Sequence, residues 1–169
     1  MSTQHAESKT QLDPPRFVDG RAINIAGLYA RFTGATVNQI PAMWERFIAQ
    51  LQKFDGRVGG VAYGVCTFCD GVTGFGYLSG VEVRDDAKLP AEWRLERVPA
   101  QRYAVFPHHG HVSTLHQTLD AIDREWRPTS GQKFNRDDTE SPAFFERYGE
   151  EFDPRTGTGG IEVWVPIKA

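Results

Sequence analysis

The order of elements in this chain repeats itself, and that repeat limits the folds open to it more than any other feature. Residues 22–32 are rich in β-formers and read as a strand, with Gly34 as punctuation. A helix is predicted over 38–54, because Ile40, Met43, Trp44, Phe47 and Leu51 recur at spacings of three and four. Pro41 falls in its first turn, where a missing N–H is harmless, and Asp55-Gly56 ends it. Strands over 61–68 and 75–83 follow, with Asp70-Gly71 as the hairpin turn. The pattern then restarts. A strand over 102–106 leads to Gly110, and Ser113 is placed to cap a second helix carrying Leu115, Leu119, Ile122 and Trp126, closed by Pro128. Strands over 144–149 and 161–167 complete it. Between the halves lie a polar loop, 84–90, and a strand, 93–98; a second polar loop runs over 129–140.

Each half therefore reads strand, glycine, helix, strand, strand. Short strings recur in the same order: Tyr63-Gly64 with Tyr148-Gly149, and Gly80-Val81-Glu82-Val83 with Gly160-Ile161-Glu162-Val163. Self-similarity of this kind points to duplication. One helix and three strands are too little to bury a sheet, so the halves must share a core. The expected class is α+β: two strand-helix-strand-strand modules forming an antiparallel sheet, two main helices, and a groove at the pseudo-two-fold, where ligand sites commonly form.

Several function classes are disfavoured at once. Nineteen basic residues against 22 acidic give a net charge of −3, with no run of like charges approaching the five or six, roughly, that mark a nucleic-acid patch, so no direct nucleic-acid contact is expected. No apolar stretch nears the roughly 18 residues of a membrane span. Residues 1–16 are polar, lack a signal-peptide core, and read as a disordered leader before one domain over 17–169; a cytoplasmic location is the default. Cys66 and Cys69 have no second pair, and a structural zinc site needs about four ligands, so they read as ordinary thiols. His108, His109 and His111 precede the second helix, but adjacent residues of an extended chain point apart, which favours structural hydrogen bonds over a metal site. No metal and no cofactor is expected.

Aromatics make up 12% of the chain, enough for a rich core or an aromatic pocket. Trp44, Phe47, Tyr63, Tyr103, Phe106, Trp126 and Trp164 are the candidate walls, with Trp44, Tyr63, Phe106 and Trp164 favoured; Tyr148 reads either way. Glu162 lies mid-strand, an unfavourable place for a glutamate, and points opposite to Ile161, Val163, Val165 and Ile167, on the face shared with Trp164. That face is solvent or pocket. Glu82 is its counterpart in the first half. By its neighbours alone, Glu146 reads as a solvated acid beside Arg147, Glu150 and Glu151.

The second half resembles the GyrI-like, or AraC-type effector-binding, family. The resemblance rests on Val98-Pro99-Ala100-Gln101-Arg102-Tyr103-Ala104-Val105-Phe106 with His109-Gly110, on Trp126, Pro128, Ser130 and Gly131 after the helix, on Phe145-Glu146-Arg147-Tyr148, which is similar to a Glu-x-Tyr motif, and on the terminal run Glu162 to Ile167. It covers about 17–167. It implies two strand-helix-strand-strand modules and moves Glu146 from surface to pocket. Such domains serve as drug-sensing parts of bacterial AraC-type and MerR-type transcription regulators, stand alone as ligand-binding or gyrase-inhibitor-like proteins, or hydrolyse strained electrophiles with Tyr and Glu.

With no room for a helix-turn-helix before Arg21, the chain resembles the standalone branch. The expected function is reversible binding of a small organic ligand, cationic or aromatic and drug-like, by Glu146, Glu162, Trp164, Phe106, Tyr63, Trp44, Tyr148 and Glu82. A carboxylate among aromatics is costly until a cation pairs with it, and each aromatic face adds about 0.5–2 kcal/mol of cation–π attraction. The alternatives are a hydrolase with Glu146 as base and Tyr148 as helper, and a protein-binding module whose partner is unknown.

Overall fold

A computed structural model of the protein describes residues 12–67, 74–134 and 142–168. These form one eight-stranded antiparallel sheet with two helices. The strands are β1 (Arg16–Gly20), β2 (Ile23–Phe32), β3 (Arg57–Thr67), β4 (Phe75–Val83), β5 (Arg94–Val98), β6 (Gln101–His108), β7 (Phe144–Tyr148) and β8 (Ile161–Ile167). Helix α1 (Ile40–Leu51) follows a short 3-10 turn after β2, and α2 (Leu115–Ala121) follows a similar turn after β6 and runs on into a π turn, Ile122–Trp126. β4 and β8 match the sequence expectation in extent. The Asp70-Gly71 turn, Cys69 and part of the second polar loop lie outside the described residues, as do residues 1–11 of the expected leader.

Sheet order is β1-β6-β8-β7-β3-β4-β2-β5. Its inner six strands are symmetric about the β7–β3 junction, and matching the end of β2 (Phe32) to that of β6 (His108) and the start of β4 (Phe75) to that of β8 (Ile161) places the pair Val65↔Phe145 on the axis. The pair Gly64↔Glu146 then has Cys66↔Phe144 as its image. The duplication therefore holds for the order of elements. The expected string matches are out of register. Glu82 is the penultimate residue of β4 and Glu162 the second of β8, so they are not equivalent positions. Tyr63 and Tyr148 point to opposite faces of the sheet.

β1 was not anticipated, and with it the ordered chain begins at least as early as Arg16, within the stretch expected to be a leader. β1 precedes the first module but pairs with β6, while β5 precedes the second and pairs with β2. This exchange dictates the shape of the sheet. Five strands separate β1 from β2, about 29 Å in a flat sheet. The link Arg21-Ala22 spans at most about 11 Å. The link Pro99-Ala100 between β5 and β6 imposes the same limit. The sheet must curl until its edges approach.

Curling buries the face away from the helices. Ile25, Tyr63, Val65, Leu78, Val98, Tyr103, Val105 and Phe145 form one cluster there. On the other face α1 sets Met43 and Phe47 against Ala26, Tyr77 and Val81, while Leu115 of α2 and Ile122 of the π turn pack on Ala104, Phe106 and Val163. Trp44, Ala62 and Phe144 touch both helix-side clusters and mark the seam between the modules.

Candidate functional site

At that seam β7 carries Phe144, Glu146 and Tyr148 on the helix side, and β3 presents Ala62, Gly64 and Cys66 beside them. Glu146 is 7% exposed. Its Oε1 accepts hydrogen bonds from Tyr77 Oη at 2.7 Å and Tyr148 Oη at 2.8 Å. Trp44 Nε1, reaching down from α1, donates to Tyr77 Oη at 3.0 Å. The Trp44 ring meets Tyr148 edge-on at 5.6 Å and Tyr77 at 6.5 Å, and Phe152 closes on Tyr148 at 5.0 Å. The result is one carboxylate under an aromatic cover, with no cationic side chain paired to it among the described residues.

Burial pushes the Glu146 carboxyl above its ordinary range, and the two phenol hydrogen bonds pull it only part of the way back. Burial also raises both phenols well above theirs, reinforced by the charge of Glu146, so Tyr77 and Tyr148 stay protonated donors. The cluster depends on Gly64. A Cβ there would fall inside contact distance of both Tyr77 Oη and Glu146 Oε1.

The structure does not bring the eight expected residues into one site. Glu146, Tyr148 and Trp44 meet. Phe106 shares their face but is fully buried beneath the second helical segment, 4.9 Å from the Trp126 ring, in the position of a core side chain. Glu162, Trp164, Tyr63 and Glu82 lie on the opposite, curled face, because β8 pairs Val163, not Glu162, with Glu146. Both acids there already have cations. Glu162 binds Arg16 at 2.6 Å and Arg147 at 3.5 Å, and accepts from Trp164 Nε1 at 3.2 Å. Glu82 holds Arg21 through two bonds of 2.7 Å. Arg16 lies in β1 and Arg21 in the β1–β2 link, so both ion pairs clasp the curled edge. Tyr77, Gly64 and Phe152 are the residues sequence reasoning missed.

The histidines serve structure. His108 bonds Thr118 Oγ1 at 2.7 Å and the His111 carbonyl at 2.9 Å. His111, not Ser113, caps the turn before α2, accepting from the Ser113 amide at 3.0 Å. His109 points outward to Asp13 at 2.6 Å. Gly110, at φ +105°, supplies the left-handed turn between β6 and this cap.

Glu162 provides a contrast with Glu146. Burial alone would raise its carboxyl, but the Arg16 and Trp164 hydrogen bonds and the charges of Arg16 and Arg147 outweigh burial and lower it. A lowered native carboxyl contributes stability above the unfolded value and loses it as pH falls through the native one. Glu162→Gln is therefore expected to cost about 1 kcal/mol near neutrality, with the deficit vanishing in acid, as followed by urea denaturation across pH. Its binding of any ligand held at Glu146 should be unchanged.

The fold and the seam define a small-molecule-binding domain of the α+β class. The chain belongs to the GyrI-like family, matching the GyrI-like small molecule binding domain over residues 13–168. It is 28% identical over 159 residues to the transcriptional regulator BrlR of Pseudomonas aeruginosa, a match covering 90% of this chain and 54% of BrlR, so the chain spans about half that regulator's length. In fold it is similar to SAV2435 bound to tetraphenylphosphonium, with TM-score 0.67, 18% identity, and coverage of 92% of this chain and 94% of that one. It is also similar to the EcmrR C-terminal domain, with TM-score 0.65, 11% identity, and coverage of 94% and 99%. No helix among the described residues is long and apolar enough to cross a membrane.

Proposed function

We propose that the protein binds a lipophilic, aromatic cation at the seam between its modules, with Glu146 as the counter-charge and Trp44, Tyr77, Tyr148 and Phe152 as the cage. One observation carries this reading: Glu146 is a buried carboxylate bonded to two phenols, with no cationic side chain paired to it among the described residues. Such a group is held at a cost that an entering cation removes, and the surrounding aromatic rings would add cation–π attraction to it. That SAV2435 has been found with tetraphenylphosphonium supports the same ligand class. Two clefts of about 280 and 320 Å³ lie elsewhere; at the seam Trp44 covers the Tyr77–Glu146 pair, so a ligand approaching Glu146 from the helix side displaces the Trp44 ring.

Titration with tetraphenylphosphonium tests the reading through tryptophan fluorescence, since Trp44 sits in the cage. Saturable quenching is expected in the wild type and its loss in Trp44→Phe, with binding then followed by calorimetry. Absence of binding, or equal binding by Glu146→Gln, overturns it. The contact between Glu146 and Tyr148 also supports a second reading, hydrolysis of an electrophile, since a carboxylate raised towards neutrality is a better base. Turnover of a strained electrophile that disappears in Glu146→Gln would establish it.

A further inference from the structure

The pseudo-two-fold axis provides an internal control for the site. The helix-side row through Glu146 runs Leu28, Ser79, Gly64, Glu146 across β2, β4, β3 and β7. Rotation about the axis carries Glu146 onto Cys66, Gly64 onto Phe144, and Ser79 onto Val165. One side of the axis thus bears an acid, a gap and a hydroxyl, where the other bears a thiol, a ring and a valine.

Ser79 is fully buried, and its Oγ finds no hydrogen-bond partner among the described residues. The other two such atoms, Arg57 Nε and Thr67 Oγ1, belong to the end residues of β3. Ser79 lies in mid-strand, and the equally buried position related to it by the axis carries an apolar side chain, Val165 at 1% exposure. An unpaired buried hydroxyl destabilises a folded protein relative to an apolar substitute. Ser79 also flanks Gly64 from the side opposite Glu146, two residues along β4 from Tyr77, whose phenol occupies the gap over Gly64. Two inter-strand spacings, roughly 9–10 Å of backbone, separate Ser79 from Glu146. Both side chains rise from the same face of the sheet with the Tyr77 phenol over the gap between them, so a cation held at Glu146 would reach Ser79 through one short arm once that phenol swings aside.

We propose that Ser79 is a specificity-determining residue of this site, its hydroxyl taking a neutral hydrogen-bonding group on a ligand whose cationic centre lies at Glu146. The inference rests on the cation-binding reading and adds to it a requirement on the ligand: a positive centre with an oxygen or nitrogen a few bonds away.

The test compares two phosphonium probes of equal charge and matched size, butyltriphenylphosphonium and (3-hydroxypropyl)triphenylphosphonium, on wild type and Ser79→Ala. The wild type should favour the hydroxyl-bearing probe. In Ser79→Ala the ratio of the two dissociation constants should shift by at least about fivefold towards the butyl probe. The melting temperature of Ser79→Ala should equal or exceed that of the wild type. An unchanged ratio overturns the proposal; a melting temperature that falls as well would mean that the hydroxyl is satisfied within the fold by ordered water. If the wild type binds neither probe, or Glu146→Gln binds both as well as it does, the cation-binding reading fails and this proposal with it.

Discussion

Glu146→Gln is expected to weaken tetraphenylphosphonium binding by about thirtyfold or more. Removing one member of a buried charge pair costs roughly 2–5 kcal/mol, and 2 kcal/mol corresponds to about thirtyfold. The fold should survive, because the glutamine carbonyl still accepts from Tyr77 and Tyr148. The variant should in fact gain stability near neutrality. Burial raises the native Glu146 carboxyl, so its contribution to stability is fully present below the unfolded value and is lost as pH rises through the native one. Wild type and variant should therefore differ least in acid, diverge as pH rises through the raised value, and differ most above it. Cation affinity runs the other way. Only the ionised carboxylate pairs with the ligand, so wild-type affinity should climb from the ordinary glutamate range up through the raised value, with a proton released on binding in that window. The Gln variant should show a flat profile. Calorimetry in buffers of different ionisation enthalpy reads the proton directly, and a flat wild-type profile would remove Glu146 as the counter-charge.

What the sequence conveyed and what it withheld divide along a physical line. Alternation within a strand fixes which residues share a face, so the sequence correctly grouped Glu162 with Trp164, opposite Ile161 and Val163. Alternation says nothing about register between strands. The pairing Glu146↔Val163 separates the two acids onto opposite faces, and one residue of slip would have put them together. Tyr77 was invisible for the same reason. It reads as an ordinary strand tyrosine until the β3 register sets it diagonally across Gly64 from Glu146.

β1 escaped notice because Arg16–Gly20 is short, polar and at an edge, with only Phe17 and Val18 to suggest a strand. β3 begins four residues before its expected start because Gly59 and Gly60 interrupt the pattern where the register shifts. Missing β1 had a consequence for the site. Without β1 and its link, Arg16 and Arg21 have no reason to stand over Glu162 and Glu82, and both acids look available to a ligand. The family resemblance directed attention to Glu146 where local sequence favoured a solvated acid. The geometry adds a physical reason for the choice, since Glu82 and Glu162 are paired with arginines and, among the described residues, Glu146 is not.

Gly64→Ala should be the most damaging small substitution at the seam. Gly64 lies in the middle of β3, where alanine is no worse than glycine for the backbone. On propensity alone the change would be neutral or mildly stabilising. The added methyl instead meets the Tyr77 hydroxyl and Glu146 Oε1, two atoms joined to each other by a hydrogen bond. Neither can withdraw freely. Tyr77 is 2% exposed and also accepts from Trp44, and Glu146 is held by Tyr148. Relief requires breaking the Tyr77–Glu146 bond inside the core, leaving a buried carboxylate and a phenol underpaired. Overpacking of about 1–3 kcal/mol, added to a lost buried hydrogen bond of about 1–3 kcal/mol, predicts a loss of several kcal/mol. For a domain of this size that lowers the melting temperature by roughly 5–15 °C. Cation binding should fall as well, since the carboxylate and the cage lose their mutual geometry. Tyr77→Phe in the Gly64→Ala background decides whether this collision is the cause. Removing the phenol oxygen clears the nearest clash, so the double variant should be more stable than Gly64→Ala, although Tyr77→Phe alone destabilises the wild type. Coupling of that sign between two residues on neighbouring strands is what a shared gap over Gly64 requires. Additive losses would mean that the gap plays no such part.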